Sequence, residues 1–361
     1  MILANDFRRQ WADIGKDALD AFARVGESGW YVLGEEVLAF EAALADYWGS
    51  GHAVGVASGL DAVEISLRIL GCRAGDRVLT TPLSAFATTL AIVKLGAVPV
   101  FVDTDDRGLI DLARCCELLA RRPDIRYFVP VHLYGHSLDL AELRRLRQEF
   151  DLKVVEDCAQ SVGARFRGES TGSAGQIAAT SFYPTKNLGA MGDGGAILTN
   201  DASFDAEARV LRSYGETARY RHEQAGYNSR LDELQAALLR SACLPRLDKW
   251  IARRREIACA YQEGLRSAGA PEGSESSWHL FPIHVARRDE LLQHLKVSGI
   301  AAGVHYPTAI PDQPALAKVP FELADDCATA RRICASEVSL PIHPYLTDEE
   351  VIRVIEAVKT R

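Results

Sequence analysis

Seven short apolar runs interleaved with helix-period segments constrain this chain more than any other feature. The runs are HAVGVAS (52–58), RVLTTP (77–82), VPVFVD (98–103), RYFVPVH (126–132), LKVVED (152–157), AATSFYP (178–184) and GGAILT (194–199). Each is short, rich in β-branched or aromatic residues and bounded by turn residues, so each reads as a strand. Between them, 59–71, 85–96 and 140–150 carry apolar residues at helical spacing. Strands alternating with helices predict βαβ units, and hence an α/β fold with a mostly parallel central sheet flanked by helices. A longer helical pattern begins near Ser229 and passes Glu263, interrupted at Pro245. After the turn-rich GAPEGSESS, WHLFPIHV reads as a further strand, and Thr347 with Glu350 forms a capping box opening a last helix. The shift in composition near 240–250 divides a large domain (1–245) from a smaller α+β C-terminal domain (246–361). No internal repeat is visible.

Composition excludes several classes. With 41 basic against 49 acidic residues the net charge is −8, which argues against a nucleic-acid partner, since phosphate neutralisation needs clustered cations. No run approaches the ~18 apolar residues of a membrane span, and MILANDFRRQWADIG lacks the features of a signal peptide. None of the eight cysteines forms a CxxC pair, so free thiols and a cytoplasmic location are expected. His132 and His136 are four apart, but the intervening Tyr134-Gly135 reads as a strand end. They are taken as polar loop histidines, with no metal site.

Three segments carry the chemistry. In VASGLDAVEISL (56–67), Ser58-Gly59 closes a strand and opens a helix, with Ser58 and Asp61 at capping-box spacing. Such a turn offers free backbone N–H groups to an anion, the plainer alternative being a merely capped helix. In LKVVEDCAQSVGA (152–164), Glu156-Asp157 stand at a strand's carboxyl end, where open α/β sheets bind ligands. In SFYPTKNLGAMGDGGAILTN (181–200), Lys186 follows a buried strand and precedes a return through Gly189, Gly192, Gly194 and Gly195. A desolvated lysine becomes a neutral, nucleophilic amine, and the glycines would let backbone approach a ring or phosphate. Since a strand follows, this is no dinucleotide turn. Taken together, an anion turn, a strand-end carboxylate and a lysine are what pyridoxal 5′-phosphate (PLP, or its amine form PMP) requires: donors for the phosphate, an anion for the ring nitrogen and an amine for the aldehyde. Gly168-Glu169-Ser170-Thr171-Gly172 matches the hydrolase G-x-S-x-G pattern, but the flanks ARFR and SAGQIAATSFY predict a polar hairpin instead.

At these residues the chain resembles the PLP-dependent nucleotide-sugar aminotransferases of the DegT/DnrJ/StrS family, with the aspartate-aminotransferase-like fold. The resemblance extends through SGWYVLGEEVLAFEAALADYWG (28–49), VPVHLYGH (129–136), GYNSRLDELQAALL (226–239), VHYP (304–307) and SLPIHP (339–344). It implies that Lys186 is the Schiff-base lysine and that Asp157 faces the pyridinium nitrogen. Gln160 would lie near the ring hydroxyl, while Ser181, Ser58 and the Gly59-Leu60 backbone would hold the phosphate. Asn228 would reach the phosphate of a neighbouring subunit, giving a homodimer with shared active sites. Two positions depart from the family pattern. Leu60 stands where a threonine is usual, and the Gly-Leu-Asp-Ala run looks like members acting on 3-keto sugars. Ala85 stands where an aromatic ring normally stacks, which leaves the adjacent Phe86 as the candidate ring. Tyr183, Tyr220, Arg230 and His305 are candidates for the sugar-nucleotide pocket. The implied reaction, serving amino-sugar biosynthesis, moves an amino group from an amino acid, L-glutamate for preference, to a nucleotide-linked keto sugar such as a 3-keto-deoxyhexose. The alternatives are a cyclitol or related ketone as acceptor, or a non-catalytic PLP-fold sensor. Relatives that deoxygenate sugars have histidine in place of the lysine, so Lys186 argues for transamination.

Overall fold

The computed structural model describes residues 1–360. Its centre is an eight-stranded sheet built from β1 (His52–Val56), β2 (Arg77–Thr80), β3 (Val98–Phe101), β4 (Ile125–Val129), β5 (Lys153–Asp157), β6 (Ile177–Ser181), β7 (Gly195–Thr199) and β8 (Glu322–Leu323). The order across the sheet is β1-β7-β6-β5-β4-β2-β3-β8. Only β7 runs against the others, pairing antiparallel with both β1 and β6. All seven strands expected from the sequence are present. The eighth, β8, is two residues long and was not anticipated; it docks parallel to β3 far along the chain.

Side chains alternate between the two faces with the strand period of two. Val54, Val78, Val155, Ala179 and Ile197 face one layer of helices, among them α3 (Gly59–Ile69) and α4 (Phe86–Lys94). Their neighbours Leu79, Phe128 and Val154 face helices Leu112–Leu119 and Leu140–Glu149 on the other side. Ala53, Ala178 and Leu198 face α1 (Phe7–Ser28) and α2 (Glu35–Trp48). Burial on both faces explains why the runs read as continuously apolar.

The long helical pattern breaks where expected. Helix Glu233–Leu238 passes through a π turn at Leu239–Cys243 and a 3₁₀ turn at Leu244–Arg246 before helix Leu247–Leu265 begins. Pro245 lacks the N–H that would continue the ladder. The pattern also starts later than the sequence suggests, because Asp232 bridges Val32 in extended form immediately before helix Glu233–Leu238.

The C-terminal residues build a separate core around Tyr261, Phe281, Leu295 and Val351. It holds the antiparallel pair Phe281–His284 and Glu337–Leu340, and helix Asp348–Lys359, whose Thr347–Glu350 capping box is formed on both sides. Segment 309–334 returns to the large sheet, where Ile310, Leu316 and Ile333 join the cluster of Leu79 and Phe101. Gly168 and its neighbours form a hairpin between Arg165–Phe166 and Glu169–Ser170, so Ser170 sits on a polar turn with no nucleophile-elbow geometry. Among the described residues, no helix is long and apolar enough to cross a membrane.

Candidate active site

The carboxyl ends of the parallel strands converge on one edge of the sheet, the edge at which such folds bind ligands. A cavity of about 470 Å³ opens there, within the usual range for small-molecule sites. Ser58 and Gly59 enter it from the end of β1, Asp157 and Gln160 from β5, Ser181 and Lys186 from β6, and His305 from the C-terminal core.

Each group is held by identifiable bonds. Asp157 is buried; its Oδ1 accepts from the Ala159 N–H (3.0 Å) and its Oδ2 from Thr88 Oγ1 (2.7 Å). Lys186 lies in the turn after β6, where its own N–H donates to Tyr183 O (2.8 Å). Burial lowers its ammonium from 10.5 to about 8, the Asp157 charge opposing the shift. Both ends of the Gln160 amide are engaged: Oε1 accepts from the Tyr134 N–H (2.8 Å) and Nε2 donates one of its two hydrogens to Tyr306 Oη (3.0 Å). Burial pushes the Tyr306 phenol up, keeping it a neutral hydroxyl.

At the opposite end, Ser58 Oγ accepts from the Asp61 N–H (3.1 Å) and caps α3. The expected box is only half formed, because Asp61 accepts from Ser229 Oγ (2.7 Å) instead of turning back. The first turn leaves the Gly59 and Leu60 amides outside the intrahelical ladder and available to an anion. Space here is tight: a Cβ at Gly59 would lie 2.6 Å from Ser181 Cβ, and one at Gly195 2.4 Å from the Ser58 carbonyl. Gly195 is thus the one glycine of the return that presses on this turn. Gly189 packs on Pro184 backbone, Gly192 on Gln235 and Gly194 on Leu231 and Phe182, so those three do not offer backbone to the cavity.

The structure brings Lys186, Asp157, Ser58, Gly59, Leu60, Gln160, Ser181, Tyr183 and His305 to the cavity, and leaves out four other predicted residues. Phe86 packs against the cluster of Leu83 and Phe101, while Ala85, Ala87 and Thr88 line the cavity. α4 begins at Phe86, directly after the extended Ala85, so the two side chains point apart and it is Ala85, not Phe86, that lines the cavity. Tyr220 is 81% exposed on the hairpin of Glu216–Ala218 and Arg221–His222. Arg230 stacks on Tyr214, its guanidinium 5.2 Å from the ring centre. Asn228 is exposed and bridges Ser213, outside this chain's own cavity.

Sequence reasoning missed Thr88, His279 and Tyr306, all of which line the cavity. His279 and Tyr306 lie in WHLFPIHV and VHYP, segments noted for their resemblance without roles being assigned. Thr88 carried no signal beyond following Ala85 by one helical turn. The loop histidines also differ from expectation, being fully enclosed. His132 Nδ1 accepts from the Leu138 N–H (3.1 Å), which leaves Nε2–H to donate to Glu156 (2.8 Å). Glu156 further accepts from the Gly172, Ala174 and Gly175 amides. His132, Glu156 and Cys158 stand close enough to share an ion, yet the carboxylate is already saturated with donors and the trio is a structural tie.

The residues fit PLP. The cavity places an amine with a lowered pKa near a doubly anchored carboxylate, and a helix N-terminus too crowded for any Cβ lies beside Ser181.

Comparison with known proteins agrees. Residues 12–359 match the DegT/DnrJ/EryC1/StrS aminotransferase family. The dTDP-3-amino-3,4,6-trideoxy-alpha-D-glucose transaminase of Streptomyces venezuelae is 41% identical over 98% of this chain and 94% of its own. The UDP-2-acetamido-2-deoxy-3-oxo-D-glucuronate aminotransferase of Pseudomonas aeruginosa is 36% identical over the full length of both. The crystal structure of S. venezuelae DesV in complex with a ketimine intermediate superposes with a TM-score of 0.92, at 41% identity, over 98% of this chain and 96% of that one.

Proposed function

The chain belongs to the DegT/DnrJ/EryC1/StrS aminotransferase family, whose members use PLP, and we propose that it aminates the 3-keto group of a nucleotide-linked sugar with an amino acid, L-glutamate for preference, as donor. The observation that carries this reading is the pairing of Lys186, its ammonium lowered to about 8, with Asp157 in one cavity. The acceptor class is supported by the two named relatives, one forming a 3-amino sugar on dTDP and the other acting on a 3-oxo sugar on UDP.

Bound PLP supplies an aldehyde that takes up the amino group and a ring that accepts electrons from the carbon losing its proton. Asp157 would face the ring nitrogen, and Gln160 the ring hydroxyl. Ser58, Ser181 and the Gly59 and Leu60 amides would hold the phosphate. Lys186 would hold the cofactor aldehyde, and its Nζ is the group placed to take the proton from the donor's Cα and, in the second half-reaction, to give a proton to the new amine carbon. Burial, which lowers the free ammonium to about 8, favours the neutral amine that the first role needs. Tyr183 at the rim and His305 on the far wall face the sugar.

The reading includes a homodimer. Trp30, Tyr31 and Val32 are 63%, 57% and 41% exposed, as are Met191 at 45% and Leu234 at 42%; exposed apolar groups of this kind support a partner surface. Asn228 and Tyr220, which lie outside this chain's cavity, would then serve the neighbour's. The cofactor-binding unit is 1–245 and the smaller unit 246–361, supported by the separate core around Tyr261 and Phe281. Eight unpaired cysteines support a cytoplasmic enzyme.

The test is borohydride reduction of the PLP-loaded protein followed by peptide mapping, together with mass spectrometry of products from glutamate and a panel of keto-sugar nucleotides. The adduct is expected on Lys186 and an amino sugar in the products. Labelling elsewhere would overturn the site. Turnover of a cyclitol ketone alone, with every sugar nucleotide inert, would overturn the substrate class.

A further inference from the structure

Behind His305 stands a buried acid that the transamination chemistry above does not use. Glu337 is fully buried at the start of the last strand of the C-terminal pair, with no cationic side chain within ion-pairing distance among the described residues. Its Oε2 accepts from the His305 N–H (2.6 Å), and its Oε1 accepts from Ser339 Oγ. Ser339 Oγ in turn lies 2.9 Å from His305 Nδ1. The loop is pinned by Tyr134 Oη donating to His305 O (2.5 Å) and by reciprocal backbone bonds between Gly303 and Ser339. His305 and Ser339 both line the cavity.

While Glu337 is ionised, chemistry fixes the direction of these bonds. An ionised carboxylate only accepts, so the Ser339 O–H is committed to Glu337. Its oxygen then accepts, and the proton between it and the ring must sit on His305 Nδ1. That leaves Nε2 as the bare, accepting nitrogen. We propose that Glu337 and Ser339 are positioning residues that set the tautomer of His305, so that Nε2 accepts a hydroxyl proton from the bound sugar.

The arrangement can also move a proton. When Nε2 takes one up, Nδ1 passes its own to Ser339 Oγ, and Ser339 passes its hydroxyl proton to Glu337 Oε1. One proton enters and one is stored on the carboxyl, and the ring stays neutral. In the stored state the chain of donors is reversed: Glu337 donates to Ser339, Ser339 to Nδ1, and Nε2–H becomes a donor. Burial raises the Glu337 carboxyl to about 7, with Ser339, the His305 N–H and the Arg288 charge pulling the other way. Tyr134, Tyr306 and Cys334 also feel the carboxylate and are themselves held neutral by burial. On the cavity side His305 faces Lys186 and His279, and burial lowers its own pKa to about 4, so the ring remains neutral while Glu337 titrates.

The sugar as ligand rests on the function proposed above; the tautomer does not. The test is nitrogen NMR of the full-length, PLP-loaded protein labelled at histidine, with His305→Gln identifying the resonances. More than a unit above the Glu337 midpoint, Nδ1 is expected to carry the proton and Nε2 to be bare; more than a unit below it, the two exchange. Glu337→Gln keeps an acceptor for the His305 N–H but turns its NH₂ toward Ser339, and should give the Nε2–H form at high pH. Ser339→Ala, a second route to the same end, should also lose the Nδ1–H signature. In the same variants kcat/KM for the keto sugar should fall about tenfold, the equivalent of one hydrogen bond. A protonated Nε2 in the wild type at high pH, or a Glu337→Gln spectrum like that of the wild type, would overturn the proposal. If the spectra behave as expected but no sugar nucleotide is a substrate, it is the functional reading that fails.

Discussion

Thr88 Oγ1 donates to Asp157 Oδ2 across 2.7 Å, tying the first turn of α4 to the end of β5. Ser84 Oγ lies 3.1 Å from the same hydroxyl, and the Ala159 amide holds the other carboxylate oxygen. The carboxylate is therefore aimed from two sides, by Thr88 and by the Ala159 amide. Thr88→Val keeps the shape and removes the donor. It is expected to lower kcat by about tenfold, the scale of one hydrogen bond to a charged group, with the PLP absorbance retained. Thr88→Ser should restore most of the rate. Steady-state kinetics on the three proteins decide it, and an unchanged kcat in Thr88→Val would rule out the positioning role.

The depressed pKa of Lys186 has two pH signatures. Burial disfavours the ammonium, so in the cofactor-free protein the amine becomes neutral as pH rises through about 8 rather than 10.5. The rate of PLP loading, followed by absorbance, should climb to about pH 8 and level off; a climb continuing to 10.5 would show an amine in water. The unfolded chain binds this proton over the window from about 8 to 10.5 while the folded one does not. The group's contribution to unfolding free energy therefore increases with pH across that window. Lys186→Met removes the titration, and the difference between the two stability curves should flatten above 10.5.

The sheet was readable because each of its seven long strands is a self-contained apolar run, buried on both faces, and local sequence decides such runs. The same holds for Ser58, Asp157 and Lys186, which stand at strand ends where the pattern changes. What was not readable depends on distant segments or on phase. The sequence shows Phe86 beside Ala85, but only the start of α4 at Phe86 shows which of them faces the cavity. Tyr220, Arg230 and Asn228 carry the right chemistry, yet their place relative to this cavity depends on a hairpin and a bridge with no local signature. Two-residue β8 has no pattern of its own; it is held by its pairing with β3 and by the ion pairs of Glu322 with Arg77 and Arg122, residues far from it in the sequence. Glu337 reads as an ordinary polar residue between Ser336 and Val338, and its partner His305 is supplied by another loop.

Gly195→Ala tests how the phosphate turn is supported. The added methyl would meet the Ser58 carbonyl carbon at 2.4 Å and the Gly59 nitrogen at 2.7 Å. Both are backbone atoms and neither can rotate away, so the turn must shift. Overpacking of this kind costs about 1–3 kcal/mol of stability, and the displaced Gly59 amide should weaken PLP binding at least tenfold by roughly the same energy. Gly192→Ala is the control: its methyl meets only the flexible end of Gln235, at 3.3 Å. Denaturant midpoints and PLP titrations on both variants are the measurement. Equal PLP affinity in the two would show that Gly195 does not shape the turn.

The edge of the sheet at β1 is closed by an ion pair rather than by another strand. Glu41 Oε1 accepts from the Gly55 N–H (2.8 Å) and from Arg212 Nη1 (2.5 Å), and the same Arg212 nitrogen donates to Gly55 O (2.8 Å). Glu41 Oε2 accepts from Arg209 Nη1 (2.7 Å), and Arg209 Nη2 reaches Ala53 O (3.2 Å). Both Glu41 and Arg212 are buried. The free amide and carbonyl of an edge strand are thus satisfied by side chains, which blunts the edge against pairing with another molecule. Removing one member of a buried pair costs more than the pair contributes, because the other charge is stranded. Glu41→Ala is therefore expected to lower the unfolding free energy by about 3–5 kcal/mol and to promote aggregation. Glu41→Leu combined with Arg212→Leu removes both charges and should recover a large part of the loss. Chemical denaturation with light scattering separates the outcomes: a loss below about 1 kcal/mol in Glu41→Ala would place the pair in the class of exposed ion pairs and remove its claim to guard the edge.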